Sequence, residues 1–181
     1  MMNLASLLLR MAGWTVEISV PDYDKCIICV APHTSNWDFI LGKLAYASVG
    51  RKAGFLMKEA WFVWPLGYFF RAIGGIAVPK KRGTNLTDYV ISRFKAAKRL
   101  HIAVTPEGTR SRVTKWHTGF LHIARGAGVP VVLGAIDALN KRIEIVKEFQ
   151  PSVDTDADMR KIKDYYWLFT GLKPEKFSAE Y

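Results

Sequence analysis

Residues 26–31, Cys-Ile-Ile-Cys-Val-Ala, form an unbroken apolar run that stops at Pro32. A run this short, without polar alternation, reads as a strand covered on both faces. That requirement points to a layered α/β domain with a largely parallel central sheet and helices on either side. The rest of the chain follows the same rhythm. Residues 14–20 alternate and read as an edge strand, and residues 55–58, 76–78, 101–105, 129–136 and 142–149 read as further strands. Helical segments are expected between them. One starts at Ser35 or Asn36 and runs to about Val49. One spans residues 59–72 and is broken by Pro65 and Gly67. One is capped by Thr84, one covers residues 115–125 and closes at Gly126 or Gly128, and a last one covers residues 154–169. With 181 residues and half of them apolar, the chain reads as one domain with a full core, residues 1–181.

The short N-terminal segment places Leu4, Leu7, Leu8 and Met11 on one helical face, so residues 1–14 are expected to hold an amphipathic helix. It either docks on the domain or associates with a membrane. It is too short to span a bilayer, which takes about 20 apolar residues, and it lacks the basic start and cleavage site of a signal peptide.

Net charge is +10, which calls for an anionic partner: nucleic acid, a membrane surface or a phosphorylated substrate. Between Arg71 and Leu100 the only acid is Asp88, against Arg71, Lys80, Lys81, Arg82, Arg93, Lys95, Lys98 and Arg99. Just before this stretch, residues 60–70 carry six aromatics in eleven positions. Trp and Tyr favour the boundary between water and lipid, and the adjacent basic stretch favours a lipid-facing surface over a crowded core. A basic nucleic-acid-binding module is the rival from another class. Against it, no nucleic-acid motif is present and the aromatics lie apart from most of the basic residues.

Two cysteines, Cys26 and Cys29, have the spacing of a redox or zinc pair. Residues three apart in a strand point to opposite faces, and there is no second pair, so they read as core. No metal site is expected.

Two short clusters carry the chemistry. Pro32-His33-Thr34-Ser35-Asn36-Trp37-Asp38 follows the buried run. A carboxylate beside one imidazole nitrogen fixes the tautomer and leaves the other nitrogen as a base, able to take a proton from an attacking hydroxyl or amine. Thr105-Pro106-Glu107-Gly108-Thr109-Arg110-Ser111 follows another strand, so it is expected at the same edge of the sheet. There Gly108 would let the backbone approach a ligand, and Arg110 would offer a planar fork to phosphate or carboxylate. A structural turn with Glu107 and Arg110 ion-paired is the alternative.

Taken together, the clusters resemble the glycerolipid acyltransferases of the 1-acylglycerol-3-phosphate acyltransferase (PlsC-like) type. The family's H-x-x-x-x-D is matched by His33 to Asp38, and its E-G-T-R-S by Glu107 to Ser111. Between them stand Lys58-Glu59, Pro65, Gly67 and the run Gly74-Gly75-Ile76-Ala77-Val78-Pro79-Lys80, and Val129-Pro130-Val131-Val132 follows, so the likeness runs in order over residues 26–146. The sequence departs from the family at Lys80, where a phosphate-binding arginine is usual, and at Leu133, where a second proline is common.

The resemblance implies direct transfer of a fatty acyl group from acyl-CoA or acyl carrier protein to a lysophospholipid hydroxyl, with no cofactor and no nucleic acid. His33 would be the base, with Asp38 holding it. Lys80, Arg82, Glu107, Gly108, Thr109 and Arg110 would bind the acceptor and its phosphate. The resemblance also implies a peripheral enzyme on the cytoplasmic face of the cell membrane. Another lysolipid, such as an amino-acid-containing one, is the alternative acceptor.

Overall fold

A computed structural model describes residues 3–79 and 85–180. Seven strands form one sheet: β1 (Thr15–Ile18), β2 (Lys25–Ala31), β3 (Gly54–Lys58), β4 (Gly75–Val78), β5 (Leu100–Val104), β6 (Val131–Asp137) and β7 (Arg142–Phe149), in the order β1-β7-β6-β2-β5-β3-β4. All neighbours pair in parallel except β6 and β7, which form an antiparallel hairpin. The chain is therefore a single α/β domain with a largely parallel sheet. β2 lies in the middle, and β1 lies at one edge as its alternating sequence required.

The apolar run of β2 is covered on both sides. Ile27, Cys29 and Ala31 pack with Val90, Phe94, Leu121, Ile162 and Tyr166, which come from α4 (Leu86–Ala96), α5 (Gly119–Ala127) and α6 (Thr155–Tyr166). Cys26 and Ile28 face the other way, towards Tyr46 on α2 (Asn36–Ser48). Beside them Leu41 and Ala45 of α2 meet Leu9 of α1 (Leu4–Met11). The two cysteines are thus free, buried and on opposite faces. Burial, only partly opposed by the Tyr46 hydrogen bond and the Arg51 charge, pushes the Cys26 thiol up to about 11, which leaves it inert as a nucleophile.

The segment 59–72 is broken at Pro65, as expected: a 3₁₀ turn at Glu59–Trp61 is followed by a separate α3, Leu66–Ala72, after Pro65, and Gly67 lies inside α3 without breaking it. At Gly67 an added Cβ would lie 2.6 Å from the Phe62 carbonyl oxygen, so the fold between these two pieces admits only glycine. Thr84 lies outside the described residues, and Asn85 caps α4 by accepting from the Thr87 N–H. The helix expected at residue 115 begins at Gly119, because the His117 N–H goes to the Pro106 carbonyl and Trp116 is buried with its ring N–H on the Ser178 carbonyl. Gly128 ends it in the left-handed conformation, φ 65°.

Candidate active site

Because β2 and β5 are parallel neighbours, both chemistry-bearing loops leave the sheet at its same edge, the edge where α/β sheets hold ligands. They are physically joined. The Glu107 carboxylate, after β5, accepts the His33 backbone N–H at 2.6 Å. This contact holds the base at its height above the sheet. Glu107 is almost fully buried, and burial, aided by the nearby Asp38 charge and opposed by the His33 N–H, pushes its carboxyl up to about 7.

Asp38 enters by a different route. Ser35 is the N-cap of α2, its hydroxyl accepting from the Trp37 N–H, and Asp38 is the reciprocal acid of a capping box. Its Oδ2 accepts the backbone N–H groups of Thr34 and Ser35 at 2.6 and 2.7 Å. The same oxygen lies 3.6 Å from His33 Nδ1, while Oδ1 is buried with no hydrogen-bond partner among the described residues. Desolvation raises the Asp38 carboxyl and the two backbone donors pull it down; the net direction is upward.

His33 is held neutral. Desolvation, with a smaller contribution from the Arg110 charge, lowers its pKa below the ordinary 6.5. With Nδ1 turned to Asp38, Nε2 is the atom that can take a proton.

Gly108 has φ +67°, and an added Cβ would lie 2.5 Å from the His117 ring, so its backbone serves the turn as well as any ligand. The Thr109 hydroxyl accepts the Ser111 N–H. Arg110 does not pair with Glu107; its guanidinium donates to the Asn36 side chain at the start of α2. Lys80 and Arg82 lie outside the described residues.

Two cavities meet this edge. The larger, about 480 Å³, is mostly apolar and runs between α2 and the sheet, with His33 and Asp38 at one end and Tyr46, Arg51 and Ala53 at the other. Ile28 and Val30 of β2, Ala103 of β5 and Phe39 of α2 line it, and Gly42 keeps it open, since a Cβ there would meet nothing within 4 Å. The smaller, about 420 Å³, lies at the start of α2 and is lined by Thr34, Ser35, Asn36 and Trp37 with three cations, Arg110, Lys173 and Lys176.

Lys173 and Lys176 were not singled out by the sequence, because no motif surrounds them. They arrive when the C-terminal segment folds back and the Lys173 N–H donates to the Thr34 hydroxyl. No group of three His, Cys, Asp or Glu among the described residues has the arrangement of a metal site.

The model of a family described as Acyltransferase matches residues 15–136, which takes in β1 through β5, all of β6 but its last residue, and both loops. The fold is similar to the crystal structure of PlsC, a 1-acyl-sn-glycerophosphate acyltransferase from Thermotoga maritima, with a TM-score of 0.59 and 20% identity, covering 90% of this chain and 73% of that one. No curated protein matches.

Proposed function

Because the chain belongs to the acyltransferase family, we propose that it moves a fatty acyl group from an acyl thioester, acyl-CoA or acyl carrier protein, to a lysophospholipid hydroxyl. The acceptor proposed is 1-acylglycerol-3-phosphate, which puts the reaction in phospholipid biosynthesis. One observation carries this reading: His33 lines the apolar cavity, and the residues that follow it directly, Thr34 to Trp37, line the cationic one. The apolar cavity suits the acyl chain, with the thioester carbonyl at His33. The cationic one suits the acceptor phosphate, gripped by Arg110, Lys173 and Lys176. Lys80 and Arg82 are kept in the proposal as further phosphate ligands.

The step needs no cofactor. His33 Nε2 takes the proton of the acceptor hydroxyl as its oxygen attacks the thioester carbonyl carbon. The imidazolium that forms is stabilised by the Asp38 carboxylate beside Nδ1. The tetrahedral intermediate then collapses, the C–S bond breaks, and the departing sulfur takes the proton back from His33. Glu107 acts through the His33 backbone and so positions the base.

The reading includes a peripheral place on the cytoplasmic face of the membrane. Trp37, Trp61, Trp64, Tyr68, Leu139 and Trp167 are all exposed. Trp37, Trp61, Trp64 and Leu139 lie in or near the loops that leave β2, β3 and β6 at the His33 edge, and the Thr170 carbonyl beside Trp167 accepts the Ala138 N–H. On α1, Leu9 docks against the domain while Leu4, Leu7, Leu8 and Met11 face outward. No helix among the described residues is long and apolar enough to cross a membrane. A rim of this composition would set the site against the bilayer that supplies its acceptor.

The test is acyl transfer from labelled acyl-CoA and acyl carrier protein to a panel of lysolipids, with 1-acylglycerol-3-phosphate beside an amino-acid-containing lysolipid. Product only with the phosphate acceptor is expected. Product only with the other acceptor would move the headgroup assignment and leave the transfer chemistry standing.

A further inference from the structure

The segment 170–180, after α6, lies beyond the residues 15–136 that the family model matches, yet it is tied to three loops at the His33 edge. At its start the Thr170 carbonyl accepts the Ala138 N–H, after β6, at 2.7 Å. Gly171 then rests on the loop after β2: an added Cβ would lie 2.9 Å from Thr34 Cγ2 and 3.0 Å from Pro32 Cβ. At the other end the segment is pinned to the loop after β5. The Ser178 carbonyl accepts the Trp116 ring N–H at 3.1 Å, and the Lys163 ammonium donates to the carbonyls of both Thr114 and Glu180. Ser178 and Ala179 are buried.

Between these anchors a 3₁₀ turn, Pro174–Lys176, closes with the Lys176 N–H on the Lys173 carbonyl at 2.9 Å. Side chains at i and i+3 eclipse in such a turn, which agrees with Lys173 and Lys176 lining one cavity. The turn thus carries both ammonium groups as a unit, and Thr34 is its seat. The buried Thr34 hydroxyl accepts the Lys173 N–H at 3.1 Å, while the Thr34 backbone N–H donates to Asp38 Oδ2 at 2.6 Å. One residue therefore joins the carboxylate beside the base to the turn that carries the lysines.

We infer that Thr34 is a positioning residue for the acceptor: its hydroxyl sets the C-terminal turn where Lys173 and Lys176 reach a phosphate beside His33. This rests on the proposed acceptor site and names what builds it. Gly171 is the second part of the seat, since a side chain there would lift the segment off Thr34 and Pro32. Lysines on a free segment would lose conformational freedom at each binding event; on a seated turn much of that freedom is already lost.

The experiment is steady-state transfer kinetics, with 1-acylglycerol-3-phosphate and acyl-CoA each varied at saturation of the other. Thr34→Val keeps the side-chain shape and the backbone N–H to Asp38 but removes the acceptor for Lys173. It should raise the acceptor KM about fivefold, the yield of one hydrogen bond, with the donor KM unchanged. Thr34→Ser, which keeps the hydroxyl, should bring the acceptor KM back to the wild-type value. An unchanged acceptor KM in folded Thr34→Val, or an equal rise in both KM values, overturns the inference. Where Thr34→Val does not fold, Gly171→Ala decides: the same split is expected, and wild-type values overturn it. Absence of product from wild type would count against the transfer reading instead. The inference is then decided by calorimetric titration with glycerol 3-phosphate, where tighter binding by wild type than by Thr34→Val is expected. Equal affinities, or no binding by wild type, overturn it.

Discussion

At the scale of single residues, the site depends on a base kept neutral and an acid kept close. His33 is neutral because its half-buried ring is desolvated and Arg110 adds positive charge nearby. Its basic form is therefore populated at lower pH than that of a free imidazole. We predict that kcat/KM rises with pH through an inflection below 6.5, the ordinary histidine value, and that Arg110→Ala moves the inflection upward as the repelling charge is removed. A pH–rate profile of the two proteins at saturating donor checks this; an inflection that moves down or stays put would assign the titration to another group. That His33 and Asp38 lie side by side was legible in the sequence because both sit within one short loop and its helix start. Lys173 and Lys176 were not legible. They come to the cavity by tertiary folding of the returning C-terminal segment, and no local spacing marks them.

At the scale of elements, the arrangement works because β2 and β5 end side by side and are clipped together. Glu107 is the clip, and its carboxyl titrates near 7 in place of 4.5. A raised folded-state pKa means that the folded protein holds the proton more tightly than the unfolded chain. The stabilisation is fully present below 4.5 and is lost as pH rises through about 7. The size is on the order of 3 kcal/mol. Glu107→Gln keeps an acceptor for the His33 N–H and has no charge to bury. Its melting temperature should therefore depend less on pH between 5 and 8 than that of wild type, with the two diverging on the alkaline side; parallel curves would show that Glu107 is not the titrating group.

The strands were readable because the β2 run and its neighbours are continuous apolar segments. The helix boundaries were less so. At 115–118 Trp116 and His117 are taken up by Ser178 and Pro106, contacts from distant parts of the chain. At 59–72 Gly67 packs against the Phe62 backbone, a contact that composition does not reveal.

At the scale of the whole molecule, exposed aromatics gather at the His33 edge, where the proposed membrane contact would lie. The aromatic segment after β3 is not core: Trp64 is 82% and Tyr68 71% exposed, beside the edge that carries His33. The paired substitution Trp64→Ser and Tyr68→Ser should weaken binding to vesicles containing anionic lipid, while leaving the melting temperature unchanged because neither side chain is buried. Cosedimentation with such vesicles measures it, and undiminished binding would place the membrane contact elsewhere, α1 being the next surface to alter. Transfer to a micellar or short-chain acceptor should survive the same pair of changes, since the catalytic groups are held by the sheet and α2.

The account turns on proton transfer at His33 Nε2. The most direct measurement is the initial rate of acyl transfer by His33→Ala beside wild type, with the melting curves of both recorded. The account predicts a loss of at least about 10²-fold with the fold intact. A correctly folded His33→Ala protein that transfers acyl groups at close to the wild-type rate would contradict it.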